Sequence, residues 1–157
     1  MAYPRAVHPT AAKVQMRLRE RGLDVDVQEL PDSTRTAPEA AAAVGVEVGQ
    51  IVKSLVFTED GGEPFLVLCA GDRRVDTALL GEGVRAATAD EVRAATGFAI
   101  GGVPPLGHDC DLRTIFDESL RRYETVWCAA GTPRSVFEVN VDDLCAAIPD
   151  AHVRAVA

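Results

Sequence analysis

The chain has 157 residues, a length that fits one folded domain able to bury roughly 70% of the surface its unfolded form exposes. Its formal net charge of −8 argues against broad, sequence-independent binding to DNA or another nucleic-acid backbone, because that mode needs many Lys and Arg contacts to phosphates. No apolar run approaches the roughly 20 residues of a membrane span, and residues 1–10 lack a signal peptide's apolar core. We therefore expect a cytoplasmic protein with no membrane partner.

Four widely spaced cysteines form no C-x-x-C pair, so no zinc knuckle or thioredoxin motif is present and reduced thiols are expected. Cys69, Cys128 and Cys145 lie in apolar runs, where a free cysteine behaves as a small hydrophobic residue. We predict that these three cysteines pack in the core.

The first third of the chain predicts a helix, a strand and a second helix. Residues 10–21 have helical periodicity and end before Gly22, and residues 24–30 alternate as a strand does. Thr36 is a candidate N-cap, followed by an alanine run that stops at Gly45.

The middle of the chain predicts a hairpin at the centre of a sheet. Two apolar segments, residues 50–60 and 63–71, are joined across Gly61 and Gly62. Short helices are predicted at 75–80 and 88–96.

The last third predicts a strand at 112–116, a helix at 117–123 capped by Asp117, strands at 125–130 and 135–140, and a helix at 141–148. Hairpins mixed with short helices favour an α+β fold, a mixed sheet with helices around it, in a single domain over residues 1–157.

Lys53 interrupts an apolar row in the first hairpin strand. Period-2 alternation places Ile51, Lys53, Leu55 and Phe57 on one face. An ammonium there is costly unless it reaches water or meets an anion. Two interpretations follow: a lysine that extends to solvent at a strand end, or a lysine in a binding pocket.

The segment GGVPPLG, residues 101–107, combines three glycines with two adjacent prolines. Glycine permits positive φ and close backbone approach, while proline fixes φ, so the loop should be stiff. Such a loop is either a structural corner or a surface that holds a ligand.

Several segments together resemble the YbaK/EbsC family, free-standing relatives of the editing domain inserted in bacterial prolyl-tRNA synthetases. They are STRTAPEAAAAVGV, QIVKSLVF, AGDRRVD, TGFAIGGVPPLGH, DESL and AAGTP, in the family's order and spacing from about residue 30 to 145. The resemblance implies an α+β fold whose mixed, largely antiparallel sheet is partly barrel-like.

The resemblance also implies that the protein hydrolyses the ester bond of mischarged aminoacyl-tRNA in trans, without a cofactor, at the tRNA acceptor end. It assigns catalytic roles to Lys53 and Gly101, with the backbone N–H groups of Gly101, Gly102 and Val103 as donors to the developing oxyanion. The implied substrate-binding residues are Thr36, Ser54, Gly102, Val103, Pro104, Pro105, Gly107, His108, Ala129 and Gly131.

Other polar groups have two interpretations each. Arg73 and Arg74 either contact tRNA phosphate or are solvated loop charges. His108 either touches substrate or anchors the loop by a hydrogen bond. Residues 108–111 are four potential metal ligands in a row, but adjacent residues seldom converge on one ion, so no metal site is predicted.

The resemblance bears on substrate choice through one departure from the family pattern and one similarity to some of its members. Relatives that act on cysteinyl-tRNA tend to carry Ser-x-Gly where this chain has Ala129-Ala130-Gly131, and the GGVPPLGH form is similar to members acting on alanine or 2-aminobutyrate. We expect tRNA(Pro) carrying Ala, 2-aminobutyrate or Cys, with a synthetase as a further potential partner. The alternatives are a binding module without turnover and a purely structural domain.

Overall fold

Two β-sheets surrounded by four α-helices make up the part of the chain that the computed structural model describes, residues 8–34 and 36–157. Residues 1–7, part of the segment inspected above for a signal peptide, and Arg35 lie outside the described residues. The helices are α1 (Pro9–Glu20), α2 (Ala37–Val44), α3 (Ala89–Thr96) and α4 (Val141–Ala147). The strands are β1 (Gln28–Glu29), β2 (Val52–Glu59), β3 (Phe65–Ala70), β4 (Val84–Ala86), β5 (Thr114–Asp117), β6 (Thr125–Ala129), β7 (Ser135–Asn140) and β8 (His152–Arg154).

The larger sheet has the order β4-β2-β3-β5-β8, and the smaller has the order β1-β7-β6. The β2–β3 hairpin is antiparallel and central, as predicted, whereas β5 and β8 add parallel to it. The two sheets are connected through a parallel bridge between Ile51 and Trp127 and do not close into a barrel. The predicted α+β class with a mixed sheet is confirmed.

Several predicted elements differ from the structure. Only Gln28–Glu29 of the predicted strand at 24–30 is paired as a strand. The helices predicted at 75–80 and 117–123 are short 3₁₀-helices, Thr77–Leu79 and Glu118–Arg122, and the capping role of Asp117 is confirmed. Strands β4 and β8 were not predicted, because each has three largely exposed residues and no apolar alternation.

The main core fills the space between the sheets and under α1 and α4. Its members include the fully buried Leu18, Leu66, Phe116, Phe137 and Leu144. Cys69 and Cys128 are buried, which confirms their predicted core packing, whereas Cys145 is only partly buried at the edge of this core. Within the described residues, no helix is both long and apolar enough to cross a membrane.

Candidate active site

A cavity of about 630 Å³ opens beside the point where β2 and β6 meet. Its walls come from β2, β6, α2 and the start of the loop at residues 101–107, called the Gly-Pro loop below. Both faces of β2 contribute, because the cavity runs along the edge of this strand rather than over one face. Seven predicted site residues line the same space: Thr36, Lys53, Ser54, Arg74, Gly101, Val103 and Ala129.

Lys53 is half-buried in the cavity wall, and its ammonium donates a hydrogen bond to the main-chain carbonyl of Arg73. An ammonium carries three donors, so this anchor leaves donors for a ligand. Arg74 lines the cavity beside it, whereas Arg73 does not.

The charge of the cavity is opposite to that of the whole chain. Its described lining residues include Lys53 and Arg74 but no Asp or Glu, although the net charge of the protein is −8. A wall with cations and no carboxylate favours an anionic group such as a phosphate. The described wall also contains no histidine.

The Gly-Pro loop is divided between the cavity and the protein interior. Gly101 is exposed, lines the cavity and has a φ of +91°, a conformation that favours glycine. Among the described residues, the N–H groups of Gly101 and Val103 have no hydrogen-bond partner. The N–H of Gly102, in contrast, donates to the carbonyl of Ala99 at 3.0 Å. The N–H of Gly102, predicted as an oxyanion donor, is therefore already engaged within the loop.

Gly102 instead forms a tight crossing with the turn after β6. The N–H of Gly131 donates to the carbonyl of Gly102 at 2.8 Å, and a Cβ on Gly102 would lie 2.7 Å from the carbonyl oxygen of Gly131. Neither glycine lines the cavity. Pro104, Pro105 and Gly107 are buried away from it, so this half of the loop is a structural corner.

His108 anchors the loop from behind. Its Nε2–H donates to the carbonyl of Pro104 at 2.7 Å, and its ring meets Phe98 edge-on. Burial lowers the pKa of His108, which favours the neutral imidazole. Of the two interpretations of this histidine, the geometry matches the loop anchor. His108 does not line the candidate site but a separate cavity of about 540 Å³, together with Pro105 and Gly107.

The acidic neighbours of His108 are engaged in ion pairs. Asp109 pairs with Arg17 at 2.8 Å, and Asp111 lies 3.5 Å from Arg21. Across residues 8–34 and 36–157, no three His, Cys, Asp or Glu side chains converge in a way that could hold a metal ion.

Two buried polar atoms beside the cavity lack hydrogen-bond partners among the described residues: the Ser54 hydroxyl and the Trp127 indole nitrogen. A buried donor without a partner costs about 1–3 kcal/mol of free energy. A ligand that brings a hydrogen-bond acceptor to either group would recover that cost and bind more tightly. Trp127 was not predicted. The available signal was a lone tryptophan inside an apolar strand, because a buried indole N–H usually needs a partner.

The thiols nearest the site are poor nucleophiles. Burial raises the pKa of Cys69, across the ladder from Lys53, to about 11. Burial also raises the pKa of Cys128, which lines the cavity. Both thiols therefore stay protonated near neutral pH, where the nucleophilic form is the thiolate.

Comparisons with known proteins agree on one family. Residues 31–147 match the profile of the aminoacyl-tRNA editing domain. The uncharacterized protein YwhH of Bacillus subtilis is 36% identical over 123 residues, covering 76% of this chain and 78% of that protein. The proline–tRNA ligase of Lactobacillus gasseri is 33% identical over 113 residues, which are 68% of this chain and 20% of the ligase.

The solved structures extend the match over nearly the whole chain. A crystal structure described as a candidate trans-editing enzyme for prolyl tRNA synthetase superposes with a TM-score of 0.89 at 49% identity, covering 96% of this chain and 98% of its own. The chain belongs to the aminoacyl-tRNA editing domain family.

Proposed function

We propose that this protein hydrolyses, in trans, the ester bond of tRNA(Pro) carrying a small wrong residue, with alanine and 2-aminobutyrate ahead of cysteine. The observation that carries the proposal is the grouping of Lys53, Gly101 and Val103 around one cavity that has cations and no described carboxylate. Membership of the editing domain family supports the reaction class.

The proposed roles follow from what each group can donate. Water adds to the ester carbonyl carbon, and the ribose oxygen leaves with a proton, giving the free amino acid and tRNA. The unpartnered N–H groups of Gly101 and Val103 stabilise the oxyanion that develops. The ammonium of Lys53, held by the Arg73 carbonyl, binds the terminal nucleotide's phosphate, with Arg74 beside it.

The remaining predicted residues take supporting roles in this proposal. Thr36 and Ala129 shape the cavity wall, while Gly102 and Gly131 hold the loop in place through their main-chain contact. Pro104, Pro105, Gly107 and His108 stiffen the loop from the interior. These loop and turn residues act on the substrate through Gly101 and Val103, whereas Thr36 and Ala129 face it directly; positioning is what an already activated ester requires.

A binding module without turnover is the second candidate, and a specific observation favours it. The described cavity wall offers neither a histidine nor a carboxylate as a general base. Binding without hydrolysis would follow if nothing else activates water.

The test is deacylation of tRNA(Pro) charged with Ala, 2-aminobutyrate, Cys, Ser, Thr or Pro, measured as loss of labelled aminoacyl-tRNA over the uncatalysed rate. We expect rapid hydrolysis of the Ala and 2-aminobutyrate species and sparing of Pro. Tight binding of these species with no acceleration of hydrolysis would select the binding module instead.

A further inference from the structure

The two sheets separate immediately beyond the bridge between Ile51 and Trp127. On one edge, β2 is paired with β3 from Val52 to Phe57. On the other edge, β4 covers β2 only from Phe57 to Glu59, and the N–H of Ala87 extends this cover to the Val56 carbonyl. Between the bridge and this cover, the strand edge around Ser54 borders the cavity.

The register fixes which peptide groups face that open edge. In an antiparallel ladder, successive residues point their N–H and C=O groups to opposite edges. The carbonyl of Ile51 accepts from Gly71 on the β3 side, and that of Val56 accepts from Ala87 on the β4 side. Ser54 is two residues from Val56, so its main-chain groups point away from β3 and toward the cavity.

The same reasoning applies to β6. The even-numbered residues in and beside this strand point their main-chain groups toward β7. The N–H of Ala130 donates to the carbonyl of Ser135 at 2.8 Å, and the carbonyl of Glu124 accepts from the N–H of Val141 at 2.9 Å. Ala129 therefore points its main-chain groups to the opposite edge, and β6 is the terminal strand of its sheet. Two strand edges thus present main-chain groups to one cavity, from Ser54 and from Ala129.

We infer that the main-chain carbonyls of Ser54 and Ala129 bind the α-amino group of the aminoacyl ester. This inference rests on the proposed function and names how the same site recognises its substrate. An amino group requires acceptors, and the described cavity wall has no carboxylate to supply them. Strand-edge carbonyls are acceptors of fixed position, as in the recognition of an extended peptide by an open sheet edge.

This assignment places the amino group at the edge of β2 and not on a face of the strand. The side chain of Lys53 projects from a face of β2, whereas the main-chain carbonyl of Ser54 points along its edge. The ammonium of Lys53 is directed toward the Arg73 carbonyl. The ester carbonyl is then free to meet the N–H groups of Gly101 and Val103.

The experiment compares two non-hydrolysable ligands, 3′-alanylamino-3′-deoxyadenosine and 3′-propionylamino-3′-deoxyadenosine, which differ only in the α-amino group. Binding to the full-length protein is measured by calorimetry, and carbonyl ¹³C shifts are followed by NMR. We expect the alanyl ligand to bind roughly 10- to 100-fold more tightly, the range for a hydrogen bond to a charged group. The carbonyls of Ser54 and Ala129 should shift with the alanyl ligand, while that of Val56, already bonded to Ala87, should not.

Equal affinity of the two ligands, or unchanged Ser54 and Ala129 carbonyl shifts in the alanyl complex, would overturn the inference. Hydrolysis of alanyl-tRNA(Pro) together with equal affinities would overturn the inference alone and leave the proposed function standing. Selective binding of the alanyl ligand without any hydrolysis would instead support the inference and reject the proposed catalysis.

Discussion

Gly101 and Gly22 adopt nearly the same backbone conformation, with φ values of +91° and +88°. A Cβ on Gly101 would meet nothing closer than Pro133 Cγ at 4.0 Å, and one on Gly22 would meet nothing within 4 Å. Substitution by alanine at either position therefore tests backbone strain without a steric clash. The two sites differ in place, because Gly101 lines the cavity and Gly22 follows α1.

We predict that Gly101→Ala and Gly22→Ala each lower the free energy of unfolding by about 1–2 kcal/mol, the cost of a left-handed conformation for an L-residue. Only Gly101→Ala should lower kcat/KM for deacylation, by about 10-fold or more, since it shifts an oxyanion donor. Urea unfolding and deacylation kinetics check the pair. Equal kcat/KM values for both variants would show that Gly101 has only a structural role and does not supply an oxyanion donor.

His108 makes the free energy of unfolding depend on pH. Burial lowers its pKa below the ordinary value of 6.5, so the folded protein takes up this proton less readily than the unfolded chain. As the pH falls through 6.5, the unfolded state binds more protons and the free energy of unfolding decreases, by at most about 1.4 kcal/mol per pH unit.

We predict that His108→Gln flattens the pH dependence of the free energy of unfolding between pH 6.5 and 5. His152→Gln is the matched control, because His152 is an exposed residue of β8. Denaturant titrations at several pH values provide the measurement. A His108→Gln profile with the wild-type slope would assign the acid sensitivity to other groups.

At the scale of elements, α2 forms a cavity wall and depends on its N-cap. The Thr36 hydroxyl accepts a hydrogen bond from the N–H of Glu39 at 3.2 Å, and Gly45 ends the helix with a φ of +76°. Both features follow from the sequence alone, and both predictions are confirmed. The helix then places Ala37, Ala40 and Val44 on the cavity.

We predict that Thr36→Ala lowers the free energy of unfolding by about 1 kcal/mol, while Thr36→Asn, which retains a capping oxygen, stays near wild type. Calorimetry or urea unfolding checks the difference. Equal losses in the two variants would show that the Thr36 methyl group, rather than the cap, carries the effect.

The segment at 24–30 shows why only part of one predicted strand is paired. Its apolar residues Val25 and Val27 are buried, as is Leu23 just before it, while the residues between them are exposed, as the pattern requires. However, a side chain takes the place of a neighbouring strand: Gln15 Nε2 donates to the Val25 carbonyl at 2.6 Å, and Gln15 Oε1 accepts from the N–H of Val27 at 2.7 Å. Alternation therefore predicted burial correctly, but pairing depended on a partner in α1.

The Gly-Pro loop had a similar outcome. Its density of glycine and proline predicted a stiff loop but not which of its residues face the cavity. That division depends on two contacts: the hydrogen bond from Gly131 to Gly102, which are far apart in the sequence, and the bond from the His108 side chain to the Pro104 carbonyl. Neither contact can be read from the composition of the loop. The open edges of β2 and β6 also required the three-dimensional register.

Across the whole molecule, as far as the structure describes it, arginines paired with carboxylates lie outside the cavity, whereas the cavity is lined by cations without such a partner. Many arginines are paired with carboxylates, including Arg122 with Asp72 at 2.7 Å and Arg85 with Glu91 at 2.7 Å. Within the described residues, Lys53 and Arg74 form no such pair and face the cavity. An acidic protein thus keeps two uncompensated cations where a terminal phosphate is proposed to bind.

The most direct measurement compares deacylation of alanyl-tRNA(Pro) by wild type, Lys53→Gln and Lys13→Gln. Lys13 is the other lysine of the chain, lies on α1 and is 3.8 Å from Asp109, outside the cavity lining. We expect Lys53→Gln to lower kcat/KM by about 10- to 100-fold, because it removes a charged hydrogen-bond donor, and Lys13→Gln to stay near wild type. Wild-type turnover by a folded Lys53→Gln protein would contradict the proposed role of Lys53.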